Sequence, residues 1–175
     1  MPAAWGGSPG NDGKVAWVTV DRSGIRVKTM LVAPNDALSA HAVSLNPPTD
    51  ENPDGYHRLI GGSVEPGETH LDAIVREVDE ELGATVRDLT FISTVENSFR
   101  INGTLRHEIV FIYSGRLDPL PAPTNAFLTE SDGSVVPVVW RPIRDEQEPR
   151  PLYPSAVVPW VHAIAAPRCG GPSAG

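Results

Sequence analysis

Alternating apolar and polar residues predict a chain built mainly of strands. Val15 to Val20 is rich in β-formers and runs into Asp21-Arg22-Ser23-Gly24, a turn. Ile25 to Val32 predicts a second strand, closed by Pro34-Asn35-Asp36. Ala40 to Leu45 is placed to return antiparallel to it. Residues 46–55 carry Pro47, Pro48 and Pro53 among acidic residues and read as an exposed loop. Tyr56 to Ile60 is a short strand that enters Gly61-Gly62. Thr90 to Val95, Leu105 to Tyr113 and Val135 to Trp140 predict three further strands, with the Pro-rich stretch 117–134 irregular between the last two.

The period changes in the middle of the chain. Leu71, Ile74, Val75, Val78 and Leu82 recur at helical spacing and predict one buried face. Thr69 stands where an N-cap belongs, with Asp72 three residues on, and Gly83 supplies a helix stop. A second helix is expected over Ser155 to Ala165, with Pro159 in its tolerant first turn. The order of elements is not a repeated strand–helix alternation, so a doubly wound parallel sheet is not expected. The class is α/β, with a mixed sheet, one central helix and one helix near the end. Residues 1–13 and 166–175 are rich in Gly, Pro and small residues and read as a flexible leader and tail around one domain, 14–165.

Composition adds exclusions. With 40% apolar and 21% charged residues, the chain reads as an ordinary globular protein. No apolar run approaches the roughly 18 residues of a membrane span, and no secretory signal is evident. The single Cys169 can form neither an internal disulfide nor a cysteine zinc site, and a cytoplasmic setting is expected. A net charge of −8 and a pI near 5.0 argue against nucleic-acid binding through a basic surface. They leave a small phosphorylated substrate open, because a bound metal inverts local charge.

That charge is concentrated. Glu65, Glu68, Asp72, Glu77, Asp79, Glu80 and Glu81 face one Arg76 within residues 62–84. Like charges at helical spacing cost roughly 0.2–0.5 kcal/mol per pair. At about 100° per residue, Glu77, Glu80 and Glu81 share one face of the helix. Clustered carboxylates of this kind suit Mg²⁺ or Mn²⁺, which share their coordination with phosphate oxygens and activate water. A merely solvated acidic face is the competing reading.

The flanking residues decide between them. Gly62, five residues, Glu68, seven residues, Arg76-Glu77, Val78, one residue, Glu80-Glu81, one residue and Gly83 resemble the signature box of the Nudix hydrolases, the MutT-like family. Weaker resemblance continues through Tyr56 to Gly61, Glu96 to Phe99, His107 to Tyr113 and Trp140 to Ile143. Ile60 and Ala84 depart from the usual proline and larger aliphatic at their positions. The resemblance implies a Nudix fold, an α/β/α sandwich on a mixed β-sheet. It also implies Mg²⁺-dependent hydrolysis of the diphosphate linkage in an NTP, ADP-ribose, nucleotide sugar or similar small nucleotide. By position, Glu77, Glu80 and Glu81 are implied metal ligands, with the Gly62 carbonyl as a further one. Glu68 and Arg76 are implied as a supporting pair, and Gly62 and Gly83 as positions of special backbone geometry.

Beyond the box, Glu108 is the first candidate for an additional catalytic acid, since it interrupts a strand of Ile, Val, Phe and Tyr. Glu96 is second. His107 points to the other face from Glu108 and reads as a surface residue. Arg58, Arg100 and Arg106 are candidates for phosphate, Arg58 and Arg100 foremost. Tyr56, Phe99 and Phe127 are candidates for stacking a base, whereas Trp140 and Trp160 read as core. A homodimer is possible. A nucleotide-sensing module without catalysis is the alternative, and the intact box speaks for an enzyme. A structural Ca²⁺ site lacks the loop of alternating acids it needs.

Overall fold

In the computed structural model, the structure describes residues 19–20, 24–144 and 146–164. The expected strand over Val15 to Val20 is seen as Thr19–Val20 (β1), and its first four residues lie outside the described ones. So do the expected leader and tail, Ala165 and Cys169. The remaining strands are Arg26–Pro34 (β2), Ala40–Asn46 (β3), Tyr56–Leu59 (β4), Thr85–Ile101 (β5), Thr104–Asp118 (β6), Ala126–Thr129 (β7), Val135–Pro142 (β8) and Leu152–Tyr153 (β9). The helices are His70–Leu82 (α1) and Val158–Ile164 (α2), the latter entered through a 3₁₀ turn at Ser155–Val157.

β2 organises the molecule. It pairs parallel with β6 along seven residues, from Arg26 opposite Glu108 to Val32 opposite Ser114. At its far end Ala33 and Pro34 pair antiparallel with Ala42 and His41 of β3. From there the sheet divides. β1 and β5 join β6 on one side, while β3 carries β4, β8, β7 and β9 on the other.

The middle of β2 is buried on both faces, which explains its near-continuous apolar run. Leu31 and Ala33 enter a core with Ile74 and Val78 of α1. Met30 and Val32 enter a second core with Val157 and Val161 beside α2. Helices therefore cover both faces of a mixed sheet, as the α/β/α expectation requires.

Outside α1, four features depart from the sequence reading. The strand expected over Thr90 to Val95 is part of the long β5, joined to β6 by Asn102-Gly103 with φ of 47° and 74°. Asn-Gly favours a tight hairpin turn with both residues at positive φ. Within the supposedly irregular 117–134, Ala126–Thr129 pairs with β8, with Leu128 turned into the core and Phe127 and Thr129 outward. β9, only two residues long, was too short for any periodic signal. Finally, Trp160 is 43% exposed rather than core: one residue from the buried Val161, it points outward on α2.

The helix α1 begins as expected. Thr69 Oγ1 accepts the Asp72 N–H at 3.1 Å, and Gly83 closes it in the left-handed region. Its buried face, however, is rotated from the expected one. Leu71 and Val75 are half exposed, and the inward residues are Ala73, Ile74, Glu77, Val78 and Glu81. Two glutamates thus occupy positions on the inward face, and what holds them there defines the site.

Candidate active site

The loop before α1 and the helix itself are tied together by charged groups. β2 holds the loop first: Thr29 N–H donates to the Gly62 carbonyl at 2.9 Å, and Val64 N–H to the Val27 carbonyl at 3.0 Å. One of the two Gly62 carbonyl lone pairs is therefore engaged. The Gly61 N–H donates to Glu81 Oε2 at 3.3 Å.

Arg76 connects the rest. Its guanidinium grips Glu68 in a two-pronged pair, Nη2 to Oε1 at 2.6 Å and Nε to Oε2 at 3.1 Å. Nη2 also donates to the Ser63 carbonyl at 3.0 Å. Nη1 stands between Glu77 and Glu80, at 3.1 and 2.9 Å from their oxygens. Glu68 returns to the loop by accepting the Glu65 N–H at 2.7 Å. Arg76 and the Glu65 N–H hold the Glu68 carboxyl below its ordinary range.

Glu77 fits because Gly62 has no side chain. A Cβ on Gly62 would meet the Glu77 carboxyl carbon and both of its oxygens closer than 3.0 Å. Glu77 and Glu81 are each 7% exposed, whereas Glu80 lies at the rim. Burial pushes the Glu81 carboxyl up to about 7, reinforced by the charges of Glu130 and Glu77 and opposed by Arg58. Two inward carboxylates and a third at the rim, outnumbering the one guanidinium in contact with them, are a donor set that fits a hard divalent cation. The Arg76 guanidinium shows that Glu77 and Glu80 accept a cation between them. Among the described residues, no three His, Cys, Asp or Glu side chains form a ready-made metal cluster.

The residues nominated outside the box separate. Glu108 is buried but not among the box acids. It accepts from Arg26 Nη2 at 2.9 Å and Asn97 Nδ2 at 3.3 Å, on the α2 side of the sheet. Glu96 and His107, within 2.7 Å of one another, turn to the opposite face of the β5–β6 hairpin. Arg58 and Arg100 are brought together with Glu108 around one cavity of about 150 Å³, where Tyr56 and Phe99 also reach the wall. Phe127 stands 53% exposed on β7 and lines no such wall, while Trp140 packs partly buried against the α1 core.

Glu130 was missed by the sequence reading. It follows β7, which packs on α1, and it lines an open cleft together with Arg58 and Tyr56. Its charge is the largest carboxylate influence on Glu81. Nothing in the sequence singles it out, because it sits in a Thr-Glu-Ser-Asp-Gly turn of ordinary composition. Only the pairing of β7 with β8 carries it to the helix.

Known proteins bear on this arrangement at two levels. A MutT NUDIX hydrolase from Burkholderia pseudomallei is similar in structure at a TM-score of 0.58 and 21% identity, over 82% of this chain and 100% of that one. The mutator MutT protein of Bacillus halodurans is similar at a TM-score of 0.54 and 18% identity, over 81% and 84%. At such identities the likeness concerns the fold. No curated protein matches the chain in sequence. The NUDIX domain family, however, matches residues 32–161, most of the chain and the whole of the box. The chain therefore belongs to the Nudix family, the hydrolases that cleave pyrophosphate linkages in nucleoside diphosphate derivatives.

Proposed function

We propose that the protein is a Mg²⁺-dependent pyrophosphohydrolase of a small nucleotide derivative, with Mn²⁺ able to substitute. Nudix hydrolases generally use divalent cations. The supporting observation is the inward seating of Glu77 and Glu81, with Glu77 packed on the bare Cα of Gly62. Glu77, Glu80 and Glu81 would hold the cation, assisted by the free lone pair of the Gly62 carbonyl. When bound, it supplies charge neutralisation at the diphosphate and acidifies water.

The chain's own residues do the rest. The Glu68–Arg76 pair fixes the loop against α1, so that the carboxylates keep their positions when substrate arrives. Gly83 sets the end of α1 through its left-handed backbone. Arg58 and Arg100 bind the negatively charged substrate. Glu130, at the mouth of the cleft, accepts the proton of the attacking water on its carboxylate. Glu108 orients Arg26 in this reading, which departs from its nomination as the catalytic acid.

The same proposal places the enzyme in the cytoplasm and allows a homodimer, which sedimentation would decide. Among the described residues no helix is long and apolar enough to cross a membrane. The test is a panel of NTPs, ADP-ribose and nucleotide sugars assayed with Mg²⁺ for nucleoside monophosphate or phosphate release. Cleavage of at least one supports the proposal. No cleavage of any, with nucleotide binding retained, replaces it by a nucleotide-sensing module.

A further inference from the structure

The cavity on the α2 side carries a charge opposite to that of the molecule. Among the described residues, Arg26, Lys28, Arg58, Arg100 and Arg106 line it against one carboxylate, Glu108. Five of the 14 Lys and Arg residues of a chain with net charge −8 thus surround one opening. Among the described residues of this wall the cations outnumber the one carboxylate, which is bound to Arg26 at 2.9 Å.

This crowding is unfavourable in the absence of an anion. Lys28 projects into the cavity from β2 and is held below its ordinary ammonium range, first by burial and next by Arg58. The strand pattern produces the convergence. Arg26 and Lys28 alternate onto the face of β2 that also bears Met30, and Arg106 and Glu108 onto the matching face of the adjacent β6. The hairpin to β5 then brings Asn97, Phe99 and Arg100 to the same rim.

The cavity shares Tyr56 and Arg58 with the cleft that holds Glu130. Arg58 and Glu130 both act on Glu81, and Glu77 acts on Lys28. A diphosphate met by a cation at the carboxylates does not use up this charge. Cations held together in a partly desolvated opening attract a compact polyanion, and arginine forks match phosphate oxygens.

We propose that the cavity receives a phosphomonoester carried by the substrate in addition to the diphosphate that is cleaved. The preferred substrate class is then a nucleoside diphosphate derivative bearing a separate terminal phosphate. Aromatic rings of Tyr56, Phe99 and Tyr153 in the same wall give the attached ring system an apolar surface.

This inference rests on the hydrolase reading, and its test has one arm that does not. In EDTA, calorimetry compares AMP with adenosine 2′,5′-bisphosphate and adenosine 3′,5′-bisphosphate, which add a second phosphomonoester. At least one of the two should bind tenfold or more tighter than AMP, and less tightly as salt rises. Lys28→Met and Arg106→Gln should each remove most of that advantage while melting like the parent. In the second arm, NADH and NADPH are compared as substrates with Mg²⁺, a pair that differs by one phosphomonoester. Binding selectivity without turnover of any nucleotide overturns the hydrolase reading and leaves the cavity assignment standing. Turnover of nucleotides with neither bisphosphate preferred over AMP overturns the cavity assignment alone. Equal binding to the Lys28→Met and parent proteins overturns it as well.

Discussion

Adding one methyl group at each of two adjacent glycines should separate folding from catalysis. Gly61 has φ of 128°, and a Cβ there would stand 2.9 Å from Met30 Cα and 3.1 Å from the Thr29 carbonyl carbon. Those atoms belong to β2, the strand on which both cores are built, and cannot withdraw. Gly61→Ala should therefore cost about 3 kcal/mol or more, from backbone strain plus collision. For a chain of this size that lowers the melting temperature by roughly 6–12 °C. Gly62 differs, since the three atoms nearest a Cβ there all belong to the end of the Glu77 side chain. That carboxylate can rotate away, so Gly62→Ala should cost less than about 1 kcal/mol. To regain ordinary contact at 3.4 Å the carboxylate must retreat by roughly 1 Å, a displacement able to reduce turnover about 100-fold. Thermal melts and Mg²⁺ titrations of turnover on both variants provide the assay. The reasoning is refuted if Gly62→Ala melts as low as Gly61→Ala, or if it keeps full turnover at every Mg²⁺ concentration.

Three further outcomes are expected. Glu130→Gln should lower kcat by roughly 10- to 100-fold with the melting temperature unchanged, whereas Glu96→Gln, facing away, should leave kcat alone; equal effects would remove Glu130 from the site. His57, buried beside Arg141 with Nδ1 at 2.8 Å, is pushed down to about 4, first by burial and then by Arg141. The unfolded chain takes up this proton near pH 6.5 and the folded chain only near 4, so stability is lost as pH falls through that window; urea melts at pH 7 and 4.5 should show a loss of roughly 2.5 kcal/mol that His57→Gln lacks. Thr69→Ala, which removes the Oγ1 acceptor of the Asp72 N–H, should cost about 1 kcal/mol in urea unfolding, and a change within error would deny the cap its role.

What the sequence disclosed follows physical range. The cap at Thr69, the stop at Gly83 and the run of β2 are written in neighbouring residues, and local chemistry enforces them. The box was legible for a related reason: Gly62, Glu68, Arg76 and Glu77 meet within one loop and two helical turns, so their spacing encodes their contacts. The rotation of α1 was not legible. Leu71 and Val75 are as apolar as Ile74, and only the space beneath Gly62 shows why Glu77 turns inward in their place. Glu130 and the cationic cavity were hidden for another reason. Each depends on strand pairing between distant residues, Ala126 with Val138 or Arg26 with Glu108, and no local pattern records such pairing.

The central claim is that the α1 carboxylates hold a divalent cation on which cleavage depends. Turnover of the best substrate from the panel, followed against Mg²⁺ concentration for the parent, Glu77→Gln and Glu81→Gln proteins, tests it most directly. The account predicts no turnover in EDTA and saturable recovery with Mg²⁺ for the parent, and losses of at least roughly 100-fold in both variants with melting temperatures retained. Undiminished turnover in EDTA, or in either variant, would contradict it.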